Sequence, residues 1–489
     1  MIMCSFTRLH GVLLLVLALS LAACKKSSDS PGATRDDLTR DSIFLYAQQT
    51  YLWNNVLPSY SSFNPRQYQS LEDEVAAIKS YQPLDKYSFI DEGEVSDEIS
   101  GGVSGDWGFF PRYNNSATDL RVSYVYSGSP AANAGLERGD QIVEMNGRKS
   151  LNAGIKEDLD FINKAFFGSA TRLDLKVNKA NGSTLTTTVN RGTYKINPIL
   201  KNNVFTVGSK KVGYFVFNSF LEVPDEGTNE LKGRLVQMME SFASAEISEL
   251  VVDLRYNSGG SVFTANYLAN WLVPGGNDGE VMHSDYFNQT MQNGQATILK
   301  NQKFSYEGRA YSYFDIPFGL EENRERFKKI GGLNLSRVYF LVSGSTASAS
   351  ELLINSLEPV MDVQIIGTRT YGKPVGFFGI HIDKYDLYVP QFQTKNQNGE
   401  GDYFNGMQPR KVEVDDLSRP FGDPGEKCLA QALNYAATGG YSGSIASTSS
   451  AKKGAATLSA EELRALNQKL ERRLFKGMIS HWTTPGANK

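Results

Sequence analysis

Ser348 and Lys373 are two side chains whose types could together perform nucleophilic chemistry. A serine hydroxyl is a poor nucleophile until a base takes its proton. Histidine is a scarce base in this sequence, because the chain has 4 His and two of them, His10 and His481, fall in the leader and the tail. Lysine is the available alternative, as in the Ser–Lys variants of the catalytic triad.

Lys373 can act as a base only when its amine is uncharged, and the pKa of an unperturbed lysine is about 10.4. Burial among apolar neighbours lowers this pKa. Lys373 is preceded by Tyr371 and Gly372 and followed by the run PVGFF, with no acidic residue among them. The sequence therefore predicts a desolvated amine at this position.

Backbone amides near Ser348 are candidates for binding a developing oxyanion. Ser348 opens the helix-like segment ELLINSLEP, and a helix N-terminus presents unpaired N–H groups and a positive potential. We expect the amide of Ala349 to be one donor and that of Gly259 or Gly260 to be the second, because glycine lets the backbone approach closely. Taken singly, these features also have structural explanations. Ser348 with Glu351 matches a capping box, and NSGG is typical of a strand-to-helix turn.

The elements that must position these residues alternate between strands and helices. In residues 201–436, the strand-like runs KVGYFVFNSF, LVVDLR, VYFLV and VQIIG are interleaved with the helix-like runs ELKGRLVQMMESFASA and ELLINSLEP. This alternation predicts an α/β domain. Asp253 and Arg255 close the LVVDLR strand and are expected to pair structurally, and Cys428 is interpreted as a small buried apolar residue. Residues 38–96 have helix-like spacing and predict a small N-terminal helical segment.

Residues 97–200 differ in character, because strand-like runs such as LRVSYVYS and RLDLKVNK alternate with turn signals. Within them, residues 128–150 (GSPAANAGLERGDQIVEMNGRKS) resemble the PDZ domain of secreted bacterial proteases. A PDZ domain binds a chain end by strand addition, and a loop of backbone N–H groups holds the terminal carboxylate.

The candidate peptide-binding loop contains Gly105, Trp107, Gly108 and Phe109. Glycine allows backbone amides to point at an anion without a side chain in the way. The alternative is an ordinary hairpin turn with a core Trp and Phe, and the carboxylate of Asp106 would disfavour a second carboxylate nearby.

Three segments, taken in order along the chain, carry a wider resemblance. They are residues 251–260 (VVDLRYNSGG), 344–351 (GSTASASE) and 367–373 (GTRTYGK). With the PDZ-like segment they resemble the C-terminal processing, or tail-specific, peptidases, the S41 family of serine proteases, over roughly residues 40–435. The resemblance implies a crotonase/ClpP-like α/β protease core with an inserted PDZ-like β-rich domain and a small N-terminal helical segment.

The same resemblance implies an activity and a division of roles. A serine endopeptidase of this kind hydrolyses peptide bonds near the C-termini of exported proteins through an acyl-enzyme. Its nucleophile maps to Ser348 and its base to Lys373, and its partners are protein or peptide substrates with free C-termini. No metal or organic cofactor is implied.

The chain departs from the family pattern on both sides of the lysine. Many members place an Asp or Gln near the end of the nucleophile helix and a Gln shortly after the lysine. Here the helix ends in Glu358, Pro374 follows Lys373, and that Gln is absent. Glu358 is a candidate to orient Lys373, or else a helix-end surface carboxylate. The departures leave an alternative open: a non-catalytic PDZ-bearing envelope adaptor or chaperone that binds chain ends.

The N-terminal residues are typical of a targeting signal. Residues 1–23 contain the apolar run GVLLLVLALSLAA, which is shorter than the ~20 residues that a membrane span needs and fits a signal peptide. The run ends in LAAC, which resembles the bacterial lipobox and implies cleavage before Cys24 and lipidation of its thiol. Residues 24–37 then predict a flexible tether. We expect a membrane-anchored lipoprotein of a bacterial cell envelope, facing the periplasm or the cell exterior, and a net charge of −3 gives no sign of a nucleic-acid partner.

The C-terminal residues predict a linker followed by a helix. Residues 437–458 form a low-complexity Gly/Ser/Ala linker, and residues 459–489 an amphipathic helix and tail. Ser459 with Glu462 predicts a capping box. The apolar stripe of this helix consists of Leu463, Leu466, Leu470 and Leu474. The stripe predicts packing against the body of the protein or against another subunit.

Overall fold

A computed structural model describes residues 32–224, 227–306, 309–443, 458–470 and 477–480. The predicted signal peptide, Cys24 and most of the predicted linker lie outside these ranges. Within them, every helix is too short or too polar to cross a bilayer.

The N-terminal region is mainly helical, and its first helix begins at Arg35. Its elements are α1 (Arg35–Thr50), α2 (Tyr60–Phe63), α3 (Leu71–Ser80), β1 (Phe89–Asp91) and α4 (Glu94–Gly101). The hydroxyl of Thr34 caps α1 by accepting from the amide of Asp37. Ile43 and Val75 pack into the largest hydrophobic core of the molecule, so this region is part of the main body.

The PDZ region forms a five-stranded antiparallel sheet. Its elements are β2 (Val103–Ser104), β3 (Phe109–Tyr113), β4 (Leu120–Val125), α5 (Pro130–Asn133), β5 (Gln141–Met145), α6 (Lys156–Phe167), β6 (Arg172–Asn178), β7 (Thr184–Asn190) and β8 (Tyr194–Lys195). The order β3-β4-β5-β6-β7 places β3 at one edge. Alternate residues of β6, such as Leu173 and Leu175, are buried and share a core with Ile162 of α6. One face of the sheet therefore packs against the helix, as antiparallel sheets commonly do.

The α/β domain is built on a six-stranded sheet, which confirms the predicted fold class. The domain as a whole contains the strands of this sheet and of several smaller sheets. They are, in chain order, β9 (Ile199–Val207), β10 (Lys210–Phe217), β11 (Glu249–Asp253), β12 (Gly259–Ser261), β13 (Val281–Phe287), β14 (Lys303–Tyr306), β15 (Arg309–Ser312), β16 (Arg324–Arg326), β17 (Arg337–Val342), β18 (Asp362–Gly367), β19 (Val375–Gly376), β20 (Ile380–Ile382), β21 (Tyr385–Tyr388), β22 (Phe392–Asn396) and β23 (Lys411–Val412). Its helices are α7 (Glu230–Ser244), α8 (Val262–Leu272), α9 (Gln289–Gln292), α10 (Ala349–Leu357) and α11 (Lys427–Thr438). The central order is β23-β18-β17-β11-β10-β9.

Helices cover both faces of this sheet, which explains the unbroken apolar run of its central strand. All neighbours from β10 to β23 are parallel, and β9 is an antiparallel edge. In β11, Leu250 and Val252 pack on the side of α7, α8 and α10, whereas Val251 packs on the side of α11. Parallel strands buried on both faces read as continuous hydrophobic runs. Cys428 of α11 is a buried free thiol in the second cluster, which confirms its interpretation as an apolar core residue.

A buried charge cluster joins the PDZ domain to the α/β domain. The guanidinium of Arg255 lies 2.6 Å from Asp253, 2.7 Å from Asp415 and 2.8 Å from Glu426, which confirms the predicted Asp253–Arg255 pairing. Arg138 of the PDZ domain binds the same Asp415 at 2.8 Å. Removing one member of a buried pair leaves an uncompensated charge, so the cluster fixes how the two domains meet.

The C-terminal segment returns to both domains. Helix α12 (Ala460–Leu470) begins at the predicted capping box, in which Ser459 and Glu462 exchange hydrogen bonds. Its buried leucines Leu463, Leu466 and Leu470 join the PDZ core, which confirms packing against the body, while Leu474 lies outside the described residues. A short strand, β24 (Gly477–Ile479), pairs in parallel with β12.

Candidate active site

The three loops that carry the candidate residues meet at one edge of the central sheet. Residues 257–260 (NSGG), here called the glycine turn, follow β11. Ser348 follows β17, and Lys373 follows β18. These strands are parallel neighbours, so their carboxyl ends lie side by side. In α/β sheets this edge is the usual place for a ligand site.

Ser348 has a backbone conformation that non-glycine residues seldom adopt. Its φ is +61° and its ψ is −111°, at the turn between β17 and α10. Such strain persists only where surrounding contacts impose it, and it is concentrated at active sites. Ala349 opens α10 and is buried, and the role of its amide as an oxyanion donor stays a prediction.

Lys373 is buried beside Ser348. Its Nζ lies 3.5 Å from Oγ of Ser348, and both residues have 0% exposure. Burial lowers the pKa of Lys373 well below its ordinary value of 10.5, while the negative charges of Asp85 and Glu351 act in the opposite direction. Desolvation is the largest of these effects, so the structure contains the desolvated amine that the sequence predicts.

The surroundings of the amine account for the missing Gln and correct the prediction for Glu358. Nζ donates to the carbonyl of Val375 at 2.8 Å and lies 3.7 Å from the centroid of the Phe377 ring. Glu358 instead pairs with Arg410 at 3.5 Å, and Asp85 and Glu351 are the carboxylates whose charges act on the lysine. The prediction that Glu358 orients Lys373 is wrong, because the end of α10 directs it toward a partly exposed arginine.

The N-terminal region closes the site over residues 368–378, here called the lysine loop. The hydroxyl of Tyr87 donates to the carbonyl of Gly372 at 2.6 Å, and its ring lies 5.5 Å from Nζ of Lys373. Asp85 accepts from the hydroxyl of Tyr51 at 2.8 Å. Sequence reasoning missed these residues, because nothing in the spacing of the DKYSFI segment connects it to a loop that follows almost three hundred residues later.

Glu351 ties the serine turn to the lysine loop. Its carboxylate accepts from the amides of Ser348, Gly372 and Lys373, each at 2.8 Å, and from the hydroxyl of Thr370. Burial raises the pKa of Glu351, and these donors oppose the shift. Sequence reasoning recognised only its half of the capping box. The contacts with the lysine loop make it a positioning residue for both Ser348 and Lys373.

Replacing Glu351 by Gln should lower kcat by about 10²-fold with little change in KM, because an amide cannot accept all four donors and the pair loses its alignment. Loss of the negative charge also lowers the pKa of Lys373, so the acid limb of the pH–rate profile should move to lower pH. Steady-state kinetics across pH would measure both effects. The control is Glu358→Gln on the same helix, and an unchanged kcat in Glu351→Gln would contradict the positioning role.

Asn257 shapes the glycine turn. Its side chain binds one of the two glycine amides that were predicted as oxyanion donors, so the two glycines differ. The side-chain oxygen of Asn257 accepts from the amide of Gly259 at 2.9 Å, so that amide is already engaged. Gly260 has φ +136°, and a Cβ there would lie 2.2 Å from the carbonyl oxygen of Phe220, so the turn requires glycine. Of the two predicted donors, Gly259 is corrected to a structural role and Gly260 remains the candidate.

The predicted peptide-binding loop of the PDZ domain is a closed turn. Trp107 is buried and donates from its indole to the carbonyl of Phe166, and Phe109 is buried as well. The amide of Gly108 is taken by the carboxylate of Asp106 at 2.7 Å. Gly105 is exposed. The buried rings and the engaged amide of Gly108 favour the alternative, a hairpin turn with a core Trp and Phe, and the peptide-binding role of Gly105, Trp107, Gly108 and Phe109 stays a prediction.

Fold and geometry together define a class of protein: an α/β protein with a PDZ domain and a buried serine–lysine pair at the carboxyl edge of its parallel sheet. Residues 211–409 match the model of peptidase family S41, and residues 121–175 match that of the PDZ domain. The part of the chain that holds Ser348 and Lys373 therefore matches peptidase family S41.

Relatives with known names agree with this assignment. The chain is 22% identical over 371 residues to the carboxy-terminal processing protease CtpA of Bacillus subtilis, covering 74% of this chain and 69% of the relative. It is 26% identical over 275 residues to the carboxyl-terminal-processing protease of Picosynechococcus, covering 56% of this chain and 55% of that protein. The crystal structure of a putative S41 protease from Bacteroides fragilis superposes with a TM-score of 0.59 at 25% identity, over 81% of this chain and 96% of that one.

Proposed function

We propose that the chain is a serine endopeptidase of the C-terminal processing type, with Ser348 as nucleophile and Lys373 as general base. The observation that carries the proposal is the 3.5 Å approach of a fully buried lysine amine to a strained serine. Burial lowers the pKa of this amine, which favours the uncharged form that can accept the hydroxyl proton. The names of the relatives favour protein C-termini as substrates.

The proposed reaction has two stages. Oγ of Ser348 attacks the peptide carbonyl carbon while Nζ of Lys373 takes its proton, and the amides of Gly260 and Ala349 bind the oxyanion. Collapse breaks the C–N bond, and the leaving amine takes the proton from Lys373. Water then attacks the ester with Lys373 again as base, and the acid product leaves with Ser348 restored.

The alternative function, a non-catalytic adaptor that binds chain ends, finds less support. Its argument from sequence was Pro374 after Lys373 and the absence of the Gln that many family members place shortly after the lysine. The carbonyl of Val375 and the ring of Phe377 surround the amine instead. The loop expected to hold a chain end is closed by its own side chains, which weakens the adaptor further.

A fluorophosphonate probe and peptide substrates test the proposal. The wild-type chain should label at Ser348 and cleave peptides with a free C-terminus faster than the same peptides with an amidated one. Ser348→Ala should do neither. Ser356→Ala is a matched control on the same helix, because that buried hydroxyl has no hydrogen-bond partner among the described residues. A folded wild-type chain that neither labels nor cleaves would favour the adaptor.

Activity should depend on pH through Lys373. Burial lowers the pKa of this lysine, so the reactive amine is already neutral at pH values where an exposed lysine is charged. As pH falls through the lowered pKa, Nζ takes up a proton and labelling of Ser348 should slow about tenfold per pH unit. Probe-labelling rates between pH 5 and 10 would measure this. An acid limb near the ordinary lysine pKa would contradict the assignment.

We also propose that the chain is anchored in a bacterial envelope membrane through lipid on Cys24. The support is the LAAC sequence after an apolar run, followed by a polar stretch. Membrane fractionation of wild type and Cys24→Ala tests the anchor. Equal retention of both in washed membranes would exclude it.

A further inference from the structure

A short segment of the chain lies in the cleft beside Ser348, paired with backbone on one side. The amide of Gly477 donates to the carbonyl of Ser258 at 3.2 Å, and β24 runs parallel to β12 with Gly477 opposite Gly259. Strand β12 contains the candidate oxyanion donor. A peptide held in this way is bound by strand addition, as many peptide ligands are.

The other edge of the same segment pairs with the lysine loop. The amide of Phe377 donates to the carbonyl of Met478 at 2.8 Å, and the amide of Ser480 donates to the carbonyl of Phe377 at 2.9 Å. Met478 and Ile479 are fully buried. The segment thus lies between the two loops that hold the candidate catalytic groups.

The carbonyl oxygen of Gly477 lies near the side chain of Ser348. A Cβ atom placed on Gly259 would lie 2.2 Å from the carbonyl oxygen of Gly477 and 3.0 Å from Cβ of Ser348. Because both atoms are close to the same point, the oxygen and the serine are neighbours. In a parallel ladder of this register, the amide of Gly260 faces the same oxygen. Any side chain at position 259 would exclude the segment.

Helix α12, which precedes this segment in the chain, is bound to an edge of the PDZ sheet. The side-chain amide of Asn467 accepts from the amide of Tyr113 at 2.8 Å and donates to its carbonyl at 3.0 Å. Tyr113 ends β3, the open edge of the PDZ sheet. One side chain therefore makes the pair of bonds that a ligand strand would make there.

The same helix also touches the lysine loop. The guanidinium of Arg464 donates to the carbonyls of Arg369 and Thr370 at 2.8 and 2.9 Å. Helix α12 is therefore held by both the PDZ domain and the lysine loop.

We propose that the C-terminal segment is an intramolecular substrate, which Ser348 cleaves between Gly477 and Met478. The inference rests on the proposed function. Oγ of Ser348 forms an ester with the Gly477 carbonyl, the Gly477–Met478 bond breaks, and the new amine of Met478 takes the serine proton through Lys373. Water hydrolyses the ester, which leaves a chain ending in the Gly477 carboxylate and a released peptide of residues 478–489.

Cleavage of this bond should precede cleavage of other substrates. An external peptide needs the same two backbone edges that β24 occupies. Hydrolysis of an added peptide should therefore begin with a lag, and the lag should match the loss of residues 478–489.

Mass spectrometry of the full chain over time tests the inference. Wild type should shorten to Gly477 with a half-time that is independent of concentration, whereas Ser348→Ala should keep Lys489. Asn467→Ala should slow this shortening about tenfold, because it removes two hydrogen bonds that hold α12. Lys469→Ala, an exposed position on the same helix, is the matched control and should shorten like wild type.

Mixing isotope-labelled Ser348→Ala chain with active wild type separates cleavage within one chain from cleavage between chains. The labelled chain should stay intact, and its shortening would overturn the intramolecular assignment. A wild-type chain that hydrolyses added peptides yet retains residues 478–489 would overturn this inference alone. A chain that neither labels with fluorophosphonate nor hydrolyses any peptide would overturn it together with the proposed function.

Discussion

Replacing Lys373 by Met should abolish peptide hydrolysis, with a loss in kcat/KM of about 10³-fold or more, and should make the fold more stable at pH 7. Methionine fills a similar volume with no titratable group, so no base remains for Ser348. Removing a buried amine also removes its desolvation cost, which amounts to about 1.4 kcal/mol for each unit by which the pKa is lowered. Peptide assays and chemical denaturation would measure the two effects.

The pH dependence of stability gives this substitution an internal check. The pKa of Lys373 is lowered in the folded chain, so between that value and the ordinary 10.5 the unfolded chain binds more protons. The free energy of unfolding should therefore rise with pH across this window in wild type, and less steeply in Lys373→Met. Lys384→Met removes an exposed lysine paired with Glu92 and should change neither activity nor this slope. Residual hydrolysis in Lys373→Met near the wild-type rate would contradict the role of the lysine.

Replacing Arg255 by Met should destabilise the fold by about 3–5 kcal/mol, the largest stability loss expected here. Three carboxylates surround this guanidinium within 2.8 Å, and its removal leaves their charges buried together. Thermal unfolding followed by circular dichroism would measure the loss. The PDZ domain should also become more sensitive to proteolysis, because Arg138 and Arg255 share Asp415.

A surface pair in the same domain is the control for this prediction. Arg234 pairs with Glu230 on the exposed face of α7, and Arg234→Met should cost less than about 1 kcal/mol. Equal losses in the two variants would show that the buried cluster has no special role.

The Ser–Lys pair was predictable because three segments, in order along the chain, resemble those of the S41 peptidases, and local patterns support the two residues. Ser348 follows an apolar strand and begins a helix, and Lys373 lies among apolar residues with no acid nearby. The α/β alternation then places the ends of β17 and β18 together. The capping box of α12 and the burial of Cys428 follow from equally local patterns.

The features that were mispredicted or missed depend on contacts between distant segments. The choice between Gly259 and Gly260 depends on where the Asn257 side chain turns, and the closed PDZ loop depends on the carbonyl of Phe166 on α6. Glu351 shows a capping pattern with Ser348, but its other donors come from the lysine loop. The strand β24 has three residues, too few for any periodic signal, and only the folded chain shows that it enters the cleft.

Direct titration of Lys373 tests the central claim. Carbon-13 NMR of the lysine ε-carbon, assigned by its absence in Lys373→Met, would report the pKa of this one amine in the folded wild-type chain. The proposed mechanism predicts a midpoint well below 10.5 that coincides with the acid limb of Ser348 labelling. A midpoint near 10.5, with Ser348 still reactive at pH 7, would contradict the role of Lys373 as the general base.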